Sequence, residues 1–195
     1  MTAQYWIAIG VALGIVVLAI LAWLFFRSRR RPGLAAALES VAIDRLQNVL
    51  LPDGMGGQIQ VEHLLLTGSG LLVIDVKEYE GIVFAGERME EWTVMGDGGR
   101  GRFTFPNPLG TLYDRVAALR QLVRDVPVEG YVLFASGAKF SKGRPPQVVL
   151  PGELVERHRP PERTELERTM EAFAPHWEHV KSAIEPVEAT RSGLL

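Results

Sequence analysis

Residues Leu71–Lys77 read Leu-Leu-Val-Ile-Asp-Val-Lys, and this run constrains the fold more than any other stretch of the chain. A continuous Leu/Val/Ile segment is the pattern of a strand covered on both faces, whereas a strand with one wet face alternates apolar and polar residues. The stretch before it, about Gln58 to Leu66, reads as a second strand. Between them, Thr67-Gly68-Ser69-Gly70 is built from residues that suit a tight turn. This hairpin delivers three charged groups. Side chains two apart in a strand share a face, so Asp75 and Lys77 point one way and Val76 the other, while Glu62 comes from the neighbouring strand.

Two carboxylates can hold a hard divalent cation such as Mg2+ through oxygen ligands. A lysine beside them can orient or activate water, or neutralise charge developing on a phosphate. The same residues can equally form a solvated ion pair worth under about 1 kcal/mol. The wider pattern carries a resemblance. Glu62-His63 is followed by Leu64-Leu65-Leu66, a Gly-containing turn, Val73-Ile74-Asp75-Val76-Lys77 and Gly81, and further on come Trp92 and Asn107-Pro108. In that order these residues resemble the nuclease-related domain (NERD) family of the PD-(D/E)xK nuclease superfamily, over roughly Leu38 to Leu150. The resemblance implies a restriction-endonuclease-like fold and Mg- or Mn-dependent hydrolysis of nucleic-acid phosphodiesters. Glu62 and Asp75 would be the metal ligands, Lys77 would assist the water, and Glu39 would help from a nearby helix. The chain departs from the family pattern in places. Glu62 and Asp75 exchange the usual lengths of the two carboxylates, Gly110 and Thr111 stand near the family's usual Gln, and Leu38-Glu39 keeps the Glu of an early Gly-Glu pair without its Gly. The alternative is a NERD-fold scaffold or binding module without strong catalysis.

The chain has 195 residues and no cysteine, which leaves room for one membrane segment and one domain with its own core, and rules out disulfides and thiolate metal sites. Tyr5 to Phe26 are 22 residues without a charge, the length a helix needs to cross a hydrocarbon core of roughly 30 Å. Tyr5, Trp6 and Trp23 suit the interfacial belts. A cleaved signal peptide would carry its positive charge before the apolar run; here Arg27, Arg29, Arg30 and Arg31 follow it and residues 1–4 are an uncharged stub. The positive-inside rule then predicts a single-pass protein of the inner or cytoplasmic membrane, with the N-terminus outside, a basic juxtamembrane linker at 27–33 and the domain in the cytoplasm. Gly10-x-x-x-Gly14 within the span fits a helix-packing motif and equally a lipid-facing helix. Beyond residue 32 there are 17 basic against 23 acidic side chains, a net of −6. Nucleic-acid binders are typically basic, so this balance counts against strong non-specific binding to DNA or RNA.

Within the domain, predicted over 34–186 with a frayed tail at 187–195, Leu38, Val41, Ala42, Leu46 and Leu50 fall at helical spacing and predict a helix from about Leu34 to Leu51 that carries Glu39. His63 should face away from Glu62, as a packed histidine. Ile82–Phe84 and Trp92–Met95 read as strands, with Trp92 in the core. GDGGRGRF at 96–103 reads as a flexible loop carrying Arg100 and Arg102, and it lacks the Gly-Lys-Ser/Thr of a P-loop. A helix is expected from about Leu109 to Arg124, then strands at Tyr131–Phe134 and Gln147–Leu150. The basic loop of Lys139, Lys142 and Arg144 between them could line a substrate groove. C-terminal helices should be separated at Pro175. The expected architecture is α/β: one mixed sheet flanked by helices and preceded by one transmembrane helix. The expected partners are the lipid bilayer, nucleic acid, and membrane or cytoplasmic proteins.

Overall fold

The computed structural model describes residues 33–96, 101–135, 137–159 and 163–186, together with Val16. Apart from Val16, the expected span Tyr5–Phe26 lies outside the described residues, as do the stub, the arginine cluster, Arg100 and the tail from 187. Among the described residues no helix is long and apolar enough to cross a membrane. Gly33–Leu195 forms one compact unit. In chain order its elements are α1 (Leu34–Val41), β1 (Asp44–Pro52), β2 (Gln58–Thr67), β3 (Gly70–Lys77), β4 (Gly81–Phe84), β5 (Glu91–Met95), β6 (Arg102–Pro106), α2 (Leu109–Leu122), β7 (Val128–Phe134), β8 (Ala138–Lys139), β9 (Val148–Val149), α3 (Pro151–Arg157), α4 (Arg163–Ala183) and β10 (Glu185–Pro186).

The central hairpin forms as the sequence predicts. β2 and β3 pair antiparallel, and Thr67 opposes Gly70 across the turn. Gly70 has φ +133°, and a Cβ there would lie 2.3 Å from the carbonyl oxygen of Pro127, so glycine is required on both counts. On its other edge β3 pairs parallel with β7. Leu71, Leu72, Val73 and Ile74 are each at most 1% exposed. Leu71 and Val73 pack with Leu112, Val116 and Leu119 of α2. Leu72 and Ile74 pack on the opposite face with Leu38 and Val41 of α1 and Leu154 of α3. Each such side chain contributes about 1.5–3 kcal/mol by burial, which is why this run can only sit between two helical layers.

Four expectations are corrected. The sheet is not single: one mixed sheet runs β10-β1-β2-β3-β7-β9, and a second runs β6-β5-β4-β8. The chain leaves the first sheet after Lys77 and enters the second at Gly81, where φ is +104° and a Cβ would lie 2.2 Å from the Met95 carbonyl oxygen. Arg102 and Phe103, expected as the end of the 96–103 loop, instead open the edge strand β6, paired with β5 from Glu91↔Pro106 to Met95↔Arg102. The predicted helix over 34–51 ends at Val41, and Asp44–Pro52 is a strand paired along its length with β2. The spacing Ala42, Leu46, Leu50 is four residues, close to one helical turn but also a multiple of the strand period of two, and pairing with β2 decides between them. Finally, α4 runs unbroken through Pro175. An interior proline costs about 3 kcal/mol, and the residues that follow it offset the cost. Trp177 and Val180 are 2% and 0% exposed, and the Trp177 indole N–H donates to the Asp44 carboxylate at 2.7 Å.

Candidate functional site

Strand geometry sets the site. Continuing the β2–β3 register by one residue beyond His63↔Ile74 puts Glu62 opposite Asp75, and residues directly opposite share a face. Asp75 and Lys77, two apart on β3, share that face as well. It is the face covered by α2. His63 lies on the opposite face, as expected; its Nδ1 is buried without a hydrogen-bond partner, and burial lowers the imidazole pKa.

Asp75 is 3% exposed, and burial raises its pKa above the usual carboxylate range, against the pull of the Arg115 and Lys77 cations. One carboxylate oxygen, Oδ2, accepts from the guanidinium Nη1 of Arg115 on α2. The same guanidinium donates through Nε to the Gln60 carbonyl at 2.6 Å, so it ties α2 to the β2–β3 hairpin. The other oxygen of Asp75, Oδ1, is buried and has no hydrogen-bond partner. An anionic oxygen left in that state is costly unless a cation or donor reaches it. Glu62 accepts the Val76 N–H through Oε2 at 2.9 Å, while its Oε1 lies 4.0 Å from His63 Nε2, beyond hydrogen-bond reach. Lys77 is half-buried at the strand end, where its carbonyl accepts the Ala135 N–H at 3.0 Å. No described carboxylate stands within ion-pair distance of its ammonium.

The structure therefore brings Glu62, Asp75 and Lys77 together and leaves Glu39 apart. Glu39 is exposed on α1, whose buried residues pack against the opposite face of the sheet. It is corrected from candidate helper to solvated helix residue, because the face of α1 that meets the sheet is taken by Ala37, Leu38 and Val41. Among the described residues no group of three or more His, Cys, Asp or Glu side chains is arranged to hold a metal ion. The donor set here is two carboxylates, and the free oxygens Asp75 Oδ1 and Glu62 Oε1 are hard ligands of the kind Mg2+ and Mn2+ take.

Arg115 is the residue that sequence reasoning missed. The signal was present: Arg115 falls on the stripe Leu112, Arg115, Val116, Leu119 at spacings of three, four and seven, the buried face of α2. A charged residue on such a stripe needs a buried partner. The remaining motif residues are structural. Trp92 is fully buried and its indole N–H donates to the Gly86 carbonyl at 3.0 Å. Asn107 gathers the carbonyls of Glu87 and Met89 on its amide nitrogen at 3.1 and 2.8 Å, and its side-chain oxygen accepts the Leu109 N–H at 3.0 Å. It thus fixes the start of α2, the helix that delivers Arg115. In the basic loop, Arg144 pairs with Glu153 and stacks on Phe140, and Lys142 lies 5.8 Å over the Phe84 ring.

The family model of the nuclease-related domain matches residues 34–135. An uncharacterized protein of Bacillus anthracis is 30% identical over 78 residues, which is 40% of this chain and 36% of that protein. The chain therefore spans well under two thirds of that relative's length. No solved structure matches. Since the family match covers more than half of the chain, from α1 to the end of β7, the protein belongs to the nuclease-related domain family.

Proposed function

We propose that this protein is a divalent-cation-dependent nuclease with a restriction-endonuclease-like core, hydrolysing nucleic-acid phosphodiesters at the cytoplasmic face of a membrane to which Tyr5–Phe26 anchors it. One observation carries the reading: Asp75 Oδ1 is buried without a partner on the sheet face that also presents Glu62 and Lys77. Asp75 and Glu62 would hold Mg2+ or Mn2+, which when bound supplies a polarised phosphate oxygen and a more acidic water. Lys77, with no described carboxylate to neutralise it, places a positive charge where a phosphate gains negative charge, or orients the attacking water. Arg115 donates to Asp75 Oδ2 and opposes the effect of burial on its pKa, while occupying that oxygen.

That last contact favours a second reading, a binding module. With Oδ2 committed to Arg115 and Glu62 Oε2 to the Val76 N–H, each carboxylate offers one oxygen instead of two. The domain's net charge of −6 also disfavours loose binding to a polyanion.

Calorimetric titration of the full-length chain in detergent with MgCl2 and MnCl2, beside cleavage assays on single-stranded DNA, double-stranded DNA and RNA, separates the two. The nuclease reading expects metal binding and cleavage that both vanish in Asp75→Ala. A wild-type chain that neither binds metal nor cleaves overturns it in favour of the binding module.

A further inference from the structure

A cavity of about 310 Å³ lies on the other flank of α2. Tyr113 and Arg120 line it from the helix, on the side of α2 turned away from Arg115. Glu129 and Tyr131 of β7, Gln147, and Arg157 of α3 complete it. The sheet leaves room there because β9 pairs with β7 only at Val132 and Leu133, so the strand's earlier residues run on past its end.

The wall chemistry is specific. Arg120 donates to the Val128 carbonyl at 2.7 Å and Arg157 to the Pro146 carbonyl at 3.1 Å. The Arg157 guanidinium also lies 5.5 Å over the Tyr131 ring. Each cation is thus fastened by a backbone carbonyl, and neither forms an ion pair with a described carboxylate. Glu129, the acid in the wall, accepts a hydrogen bond from the Tyr131 hydroxyl. Two cations against one acid make this wall net positive in a domain of net −6. Gln147 Oε1 is buried there without a donor, and Tyr113 is 47% exposed. Fastened guanidiniums suit phosphate oxygens, an open tyrosine ring suits the face of a planar base, and an unpartnered amide oxygen suits an N–H or O–H donor. The volume is near the lower end of small-molecule sites, roughly 300–1,000 Å³, which admits one nucleotide and not a strand.

We propose that this cavity binds a mononucleotide, with the phosphate on Arg120 and Arg157, the base on Tyr113, and a base or ribose donor on Gln147. The site is independent of the carboxylates on the far side of α2.

The test is calorimetric titration of the full-length chain in detergent with AMP, GMP, CMP and UMP, and with ribose 5-phosphate and adenosine as partial ligands. At least one nucleotide should bind more tightly than either partial ligand by roughly tenfold or more. Arg157→Leu should weaken that nucleotide by a similar factor. Tyr113→Ala, at an exposed ring and so without effect on folding, should bring the nucleotide down to the affinity of ribose 5-phosphate. Asp75→Ala should bind the nucleotide as wild type does, whatever becomes of nuclease activity. Absence of binding by all four nucleotides, or undiminished binding in a folded Arg157→Leu chain, overturns the proposal. Equal affinity for ribose 5-phosphate and the nucleotides overturns the placing of the base.

Discussion

Replacing Arg115 with Met tests the electrostatics of the site most directly. The substitution keeps an apolar stem on the buried stripe of α2 and removes the only described cation hydrogen-bonded to Asp75. Asp75 and Arg115 side chains are 4% and 18% exposed, so this is a buried pair, and breaking one typically costs about 3–5 kcal/mol. The carboxylate can escape part of that cost by folding protonated. Burial already raises its pKa from an ordinary 3.8, and losing Arg115 raises it further. A carboxyl that is neutral when folded and ionised when unfolded loses about 1.4 kcal/mol of stability per pH unit above its unfolded pKa. The ceiling on the loss is then about 1.6 kcal/mol at pH 5 and about 4.4 kcal/mol at pH 7. Because a raised acid pKa favours the folded state at low pH, the deficit must grow as pH rises. Urea unfolding of the Gly33–Leu195 unit in EDTA should show a loss of about 2–4 kcal/mol at pH 7 and about 1 kcal/mol at pH 5. Adding Asp75→Asn should recover most of it. A loss under about 1 kcal/mol at both pH values, or a larger loss at pH 5, would refute a buried ion pair at this position.

Glu62→Gln keeps an acceptor for the Val76 N–H while removing the charge, so stability should move by less than about 1 kcal/mol while Mn2+ affinity, read by calorimetry, drops roughly tenfold or more. Asn107→Ala deletes the amide bonds to Glu87 and Met89 and the acceptor for the Leu109 N–H. It should destabilise the domain by about 2 kcal/mol in urea unfolding, and an unchanged midpoint would show that α2 starts without it. Burial lowers the pKa of both His63 and His158. Their contribution is therefore complete above about 6.5 and is lost as pH falls below it; His158→Asn should flatten that part of the pH–stability curve, and a curve of unchanged slope would place the acid sensitivity elsewhere.

What the sequence made legible follows from the range of the interactions involved. The β2–β3 hairpin was readable because its turn, its covered strand and its charged exit all lie within 58–81, and the pleat alone places Glu62, Asp75 and Lys77 on one face. β1 was misread because its apolar spacing satisfies two periods and its partner, β2, is chosen by pairing that no local pattern records. The second sheet was hidden for the same reason. β6 joins β5 through a register that begins at Glu91↔Pro106, and β8 joins β4 as a parallel pair of only two residues.

The character of the site was hidden more deeply. Its decisive neighbour sits 40 residues after Asp75, on a helix whose start is fixed by Asn107. The Asn-Pro motif and the acid-x-Lys motif thus meet physically: Asn107 gathers the 86–89 turn and opens α2, α2 presents Arg115, and Arg115 holds Asp75. A motif read as separate short patterns gives the carboxylates and the lysine. Read as one chain of contacts it also gives the cation that opposes the effect of burial on Asp75. Burial raises the pKa of that carboxyl and the Arg115 cation lowers it, and only an ionised Asp75 could hold a divalent cation. With Arg115 on one oxygen, the other remains a buried acceptor without a partner, and a cation that reaches it must compete with a guanidinium already hydrogen-bonded to the same carboxylate.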